Sequence, residues 1–221
     1  MTFREIELAD ERIWLLAGGA VFLPETQTLV VADLHLGKGT SARTRGLLLP
    51  PGDTVSTLEK VQRLVKDYKP QLLIALGDSF HDVKAGERLL NIEKTMLRTI
   101  ASQTSLLWIT GNHDALPVPE IAGEWLEDYR SGNLILRHIP SETVPMGKAE
   151  LAGHLHPKIR MRIRGHAMSR SCFVKGPDRL ILPALGSYTG GLDVSDPAFS
   201  GLFADGSSAY VWGADRISRV A

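Results

Sequence analysis

Leu29-Val-Val-Ala-Asp-Leu-His35 is a short apolar, β-branched run that ends in an aspartate and, two positions on, a histidine. Its length and composition read as a buried strand, and the polar end marks where that strand stops. The same grammar recurs twice. Leu72-Leu-Ile-Ala75 runs out at Gly77-Asp78, and Leu106-Leu-Trp-Ile109 runs out at Gly111-Asn-His-Asp114. Between the first two runs, Asp53 is expected to cap a helix reaching Tyr68. Val55, Leu58, Val61, Leu64 and Val65 lie at helical spacing there, and Pro70 is the stop. A second helix is expected from about Ala85 to Ser102, with Leu89, Ile92, Met96, Leu97 and Ile100 facing inward. Strands alternating with helices imply right-handed crossovers and a parallel sheet.

The second half changes character. Short strands are expected at 134–138, 149–152, 158–164, 171–175, 179–182, 200–204 and 208–212, separated by Gly, Pro, Asp and Ser in an antiparallel, hairpin-rich pattern. The fold class expected from this switch is α/β and layered, with two mixed β-sheets packed face to face and flanked by helices. No repeat, low-complexity tract or linker divides residues 1–221, so a single domain is expected.

Composition excludes several classes of function. Across 221 residues, 43% are hydrophobic and 23% charged, and the formal net charge is zero, so any preference for nucleic acid must come from a local patch. The single cysteine, Cys172, rules out an internal disulfide and a cysteine-held metal. It lies in the apolar run Ser171-Cys-Phe-Val174 with no Lys or His beside it, which reads as a packed thiol. Residues Met1 to Asp10 lack the basic and apolar regions of a signal peptide, and no apolar run approaches the ~20 residues of a membrane span. A cytoplasmic enzyme with no membrane association is the expectation.

In an open α/β sheet, ligands bind at the carboxyl ends of the parallel strands. Three such ends carry Asp33 and His35, Asp78, and Asn112, His113 and Asp114. His138 ends the next strand, and Gly153-His-Leu-His156 the one after it. In Asp-x-His and His-x-His, both outer side chains project from one side of an extended segment. Five of the seven histidines fall in this set, and burying them together without a shared ligand would leave too many polar atoms unpaired. The donors are all oxygen or imidazole nitrogen, which suits manganese, iron, zinc or nickel. Asp33, His35, Asp78, Asn112, His138, His154 and His156 exceed what one tetrahedral ion needs, so two divalent ions are implied, ~3.5–4 Å apart in hydrolases of this kind.

Taken in order, these blocks resemble the calcineurin-like metallophosphoesterase superfamily across residues 29–157. The resemblance implies that Asp33, His35 and His156 hold one metal, that Asn112, His138 and His154 hold the other, and that Asp78 bridges them. A metal-activated hydroxide would attack phosphorus, while His113, oriented by Asp114, would protonate the leaving oxygen. A finer resemblance rests on Gly77-Asp-Ser-Phe-His-Asp82, Leu136-Arg-His138, Gly153-His-Leu-His-Pro157, Ser171-Cys-Phe173 and Leu182-Pro-Ala-Leu-Gly-Ser-Tyr-Thr-Gly-Gly191. Together these look like the ligase-associated DNA damage response endonucleases (PdeM-type). That implies a manganese-dependent phosphodiesterase or DNA endonuclease, working in DNA repair beside an ATP-dependent DNA ligase and a helicase. Many superfamily members carry an aspartate where this chain has His81, followed by Asp82. Both are expected to support the site without ligating.

Lys158, Arg160, Arg162 and Arg164 alternate with Ile159, Met161 and Ile163 and begin two residues after His156. On a strand this puts four cations on one face. It reads either as a solvated face or as a stripe that tracks phosphates without reading sequence. Arg170 and Lys175 would extend such a patch, with Lys38, Arg43 and Arg45 reaching its rim. No run of exposed aromatics accompanies it. Ser187-Tyr-Thr-Gly-Gly191 reads equally as a substrate loop or a hairpin connection. Besides the DNA reading, two alternatives stand: a phosphatase or pyrophosphohydrolase of a small nucleotide or metabolite, and a binding scaffold that has lost catalysis. The scaffold reading predicts gaps among the ligand positions, and none is present.

Overall fold

The computed structural model describes residues 2–44, 46–47, 50, 52–114, 117–118, 121–163, 165–203 and 205–220. Along the chain these form β1 (Phe3–Leu8), β2 (Glu11–Leu16), β3 (Val21–Leu23), β4 (Thr28–Ala32), α1 (Lys38–Thr44), α2 (Asp53–Tyr68), β5 (Leu72–Leu76), α3 (Ala85–Arg88), α4 (Asn91–Ala101), β6 (Ser105–Ile109) and β7 (Glu124–Leu126). There follow β8 (Asp128–Ser131), β9 (Leu134–Arg137), β10 (Ala149–Ala152), β11 (Lys158–Ile163), β12 (His166–Ser171), β13 (Phe173–Lys175), β14 (Arg179–Ile181), α5 (Pro197–Ser200), β15 (Ser208–Trp212) and β16 (Ile217–Val220). The first seven strands make one sheet in sequence order, antiparallel up to β4 and parallel from β4 to β7. The second sheet runs β16-β15-β13-β14-β10-β9-β8, and β11 with β12 forms a separate hairpin.

Alternation along β4 shows why the layers stack. Leu29 and Val31 join α2 residues Leu58, Val61 and Val65 in one core cluster, together with Leu97 and Ile100 of α4. Val30 and Ala32 turn the other way and pack with Leu134, Leu136, Leu151, Phe173 and Leu180 of the second sheet. A strand buried on both faces must read as a continuous apolar run, as this one does. A third cluster covers the outer side of the second sheet, where Val174, Ile181 and Val211 meet Phe199, Phe203, Ile159 and Met161.

Four expectations are corrected. Asp53 does not cap α2: Gly52 holds the cap position at φ 93°, and Asp53 is the first helical residue, its carboxylate accepting the Gly39 N–H at 2.8 Å. The expected helix at 85–102 is broken, because the buried Glu93 carboxylate takes the Leu90 N–H at 2.8 Å and starts a new helix after an extended residue. The expected strand at 200–204 is absent among the described residues. Asp196 instead caps α5 by accepting the Ala198 N–H, and Phe199 and Phe203, at helical spacing, stack inward. The second half is not uniformly antiparallel, since β9, β10 and β14 run parallel. That last difference matters for the site: parallel strands of both sheets deliver their ends to one edge.

Candidate metal centre

Backbone hydrogen bonds sew those strand ends together. His35 N–H donates to Asp78 O at 2.9 Å, Gly153 N–H to His138 O at 3.0 Å, and Gly186 N–H to Asp33 O at 3.1 Å. Glycine is required where these segments touch. A Cβ at Gly77 would enter the His138 ring, and one at Gly111 would enter the backbone and carboxylate of Asp78. Asp33, His35, Asp78, His154 and His156 all adopt positive φ, between 45° and 69°. Side chains rarely tolerate that region, and such strain persists where the surrounding structure over-determines it.

Two groups of donors result. In one, Asp33 Oδ1 lies 3.2 Å from His156 Nε2, which lies 3.4 Å from His35 Nε2. In the other, His138 Nε2 lies 3.0 Å from Asn112 Oδ1, 3.3 Å from His154 Nδ1 and 3.4 Å from Asp78 Oδ1. Asp78 faces both ways, because its other oxygen, Oδ2, lies 4.0 Å from His35 Nε2 and 3.9 Å from His113 Nε2. All seven expected ligands are thereby brought together, and three overlapping His/Asp groups, Asp33-His35-His156, His35-Asp78-His113 and Asp78-His138-His154, have the spacing to hold a cation.

The chemistry of the donor set fits divalent metal. Asp33 is 0% and Asp78 3% exposed, yet neither pairs with a lysine or arginine among the described residues. Buried carboxylates facing only imidazoles and backbone N–H groups need a cation. Burial, aided by the neighbouring His156, pulls the His35 imidazole down to about 3. Burial, then His138, also lowers His154. Both rings are therefore neutral, the form that ligates. Burial resists the charge on Asp78, but its hydrogen bond and ion pairing with His138 outweigh it and hold the carboxylate at about 2. His138 is raised in return, against its own burial, by Asp78 and Asp33. Its Nδ1–H donates to Leu76 O at 3.0 Å, which leaves Nε2 facing the site.

His113 stands at the edge of this centre, with its side chain 41% exposed. The expectation that Asp114 orients it is corrected. Asp114 is 1% exposed, and its oxygens accept the N–H groups of Asp78, Phe80 and Gly111 at 2.9–3.0 Å, so it braces two of the ligand-bearing turns. The His113 ring is oriented instead by His81, whose main-chain oxygen accepts from Nδ1 at 2.9 Å and whose ring stacks against it at 5.4 Å. Gly77-Asp-Ser-Phe-His-Asp82 contained that residue, but nothing in a sequence marks a main-chain acceptor. Asp82 pairs with Arg88 at 2.6 Å, away from the donors.

The basic strand is β11. Arg160 and Arg162 are exposed, and Arg160 Nε approaches Asp193 Oδ2 at 3.7 Å. Lys158 reaches back to donate to Thr189 O at 3.2 Å. Lys38, half-buried at the start of α1, is lowered first by its burial, raised by Asp53 and lowered again by Lys158, so the two ammonium groups share one rim. Register places Arg170 opposite Ile159, on the other face from Arg160, so it does not extend the stripe. Arg164 and Arg45 lie outside the described residues. Cys172 is fully buried, as expected.

A family model described as calcineurin-like phosphoesterase matches residues 26–168. Among solved structures, the crystal structure of Pseudomonas putida nuclease MPE aligns over 99% of this chain and 100% of its own, at 25% identity and a TM-score of 0.76. The E. coli phosphoesterase Yfce aligns over 88% of this chain and 92% of its own, at 16% identity and a TM-score of 0.40. No curated protein matches the chain.

Proposed function

The chain belongs to the calcineurin-like phosphoesterase family, and on that footing we propose that it is a two-metal phosphodiesterase that cleaves DNA. The observation that carries the two-metal reading is the placement of Asp78, with one oxygen toward His138 and the other toward His35. Asp33, His35 and His156 would hold one ion, and Asn112, His138 and His154 the other, with Asp78 shared. Two divalent ions there, manganese by preference, would clamp a phosphoryl group and acidify a water. Leu76 O takes the Nδ1 proton of His138, so Nε2 would be left to offer its lone pair to the ion. His113, held by His81 O, presents Nε2 to the gap and as an imidazolium would give its proton to the departing oxygen. Asp114 keeps the turns at Gly77 and Gly111 in register.

DNA as the substrate is supported by the likeness to a nuclease over the whole chain, and by Lys158, Arg160 and Arg162 leading away from His156. Action in repair beside an ATP-dependent ligase and a helicase follows from the resemblance in sequence and is proposed with it. The test is hydrolysis of bis-p-nitrophenyl phosphate, single-stranded DNA, duplex DNA and a phosphomonoester, side by side with manganese. The diester and DNA should be cut and activity lost in chelator. Full activity in excess chelator would sink the two-metal claim, and preference for the monoester would favour a small-metabolite phosphatase.

A further inference from the structure

The loop after β14 carries an aromatic residue in an unusual conformation. Tyr188 has φ 58°, and its side chain is open to solvent, the residue being 48% exposed. The other positive-φ positions outside glycine, among the described residues, are the five candidate ligands and four turn residues: Ala9, Asp10, Gln27 and Lys69. Apart from the ligand histidines, Tyr188 is the one ring-bearing residue among them. A bulky residue in that region is an outlier that the surroundings must enforce.

The enforcement comes from both sides of the metal centre. Before Tyr188, Leu185 N–H donates to Ala32 O and Gly186 N–H to Asp33 O, while Ser187 N–H donates to Thr57 Oγ1 at 3.0 Å. After it, Thr189 Oγ1 donates back to Gly186 O at 3.0 Å, and Thr189 O accepts from Lys158 at 3.2 Å. Gly191 then packs on the main chain of His156 so closely that no side chain would fit. The backbone on either side of the ring is thus tied to two candidate ligands of one ion, and the ring itself is left projecting.

An exposed aromatic on a loop tied at both ends to the candidate metal centre, with the Lys158 ammonium held by the next residue, suits a flat ring attached to a phosphate. Resting on the nuclease reading, we propose that Tyr188 is a stacking platform for an unpaired nucleobase adjoining the cleaved phosphodiester, so that the chain engages single-stranded polynucleotide. Bases in a duplex have both faces covered and could not stack there.

The test uses Tyr188→Asn, which tolerates positive φ but removes the ring, and Tyr188→Phe, which keeps it. Binding of fluorescent oligothymidylate and of a duplex is measured by anisotropy with calcium in place of manganese, and manganese affinity by titration. Wild type should bind the single strand more tightly than the duplex. Tyr188→Asn should weaken that binding by about ten-fold or more, and Tyr188→Phe should not. Manganese affinity and melting temperature should stay unchanged in both. Unaltered binding in Tyr188→Asn, equal wild-type affinity for both DNAs, or a matching loss of manganese affinity would overturn the proposal. If the ring-dependent binding holds but no DNA is cut, the nuclease reading fails and the stacking site stands. If wild type and Tyr188→Asn bind and cut single strands alike, the reverse is true.

Discussion

His113 and Asp114 are adjacent in sequence and opposite in circumstance. One is an open ring aimed at the gap, the other a buried carboxylate serving three backbone N–H groups. Removing them should therefore fail in different ways. Asp114→Ala leaves those donors buried and unpaired, a cost on the order of 3 kcal/mol or more. Its melting temperature should fall by roughly 6–12 °C, for a chain of this size. His113→Ala should melt like wild type and keep its metal, yet lose about 10²–10⁴-fold in kcat on substrates with poor leaving groups. Thermal melts with metal analysis separate the two, and loss of metal in His113→Ala would show that it ligates. Sequence put both residues at the site but could not divide the labour. Asp114 owes its role to burial, and His113 its orientation to the main chain of His81, and neither leaves a trace in residue types.

Among the elements, those buried on both faces were legible from their composition. β4, β5 and β6 read as unbroken apolar runs because helices cover one side and a sheet the other. The four-residue β9 and β10 were found as strands but not as a parallel pair, since pairing of short segments depends on a crossover that carries no local signal. The meander β1 to β3 was missed although Glu5-Ile-Glu-Leu8 alternates acidic and apolar residues, because β1 is largely exposed and offers no continuous apolar run of the kind that marked β4 to β6. Cys172, between β12 and β13, was read correctly as packed, and its burial pushes the thiol up to about 12. Above the ordinary thiol pKa the unfolded chain releases this proton while the folded one holds it. Its contribution to stability is full below that pKa and fades as pH rises toward 12, by up to about 1.4 kcal/mol per unit. The unfolding free energies of wild type and Cys172→Ala, from urea titrations, should therefore differ by about 1.4 kcal/mol less at pH 10 than at pH 8. A constant gap would mean that the thiol ionises freely in the fold.

For the whole molecule, the zero net charge hides an uneven distribution. Arg160 and Arg162 stand exposed on a hairpin outside both sheets, leading from the edge where the donors converge. If they track phosphates, replacing both with Ala should lower the slope of log affinity for DNA against log salt by about 2 and leave the small diester's hydrolysis untouched. An unchanged slope would reduce them to a solvated face. No described helix is long and apolar enough to cross a membrane. The division between the sheets has a consequence for biosynthesis. Every strand of the first sheet precedes residue 127, and every strand of the second follows it. Asp33, His35, Asp78 and Asn112 come with the first, and His138, His154 and His156 with the second. On the proposed assignment, a nascent chain emerging from the ribosome would display these carboxylates long before the imidazoles that complete either set, so metal loading would wait at least until residue 156 has been translated. The centre would then be assembled late, after every strand of the first sheet has been made.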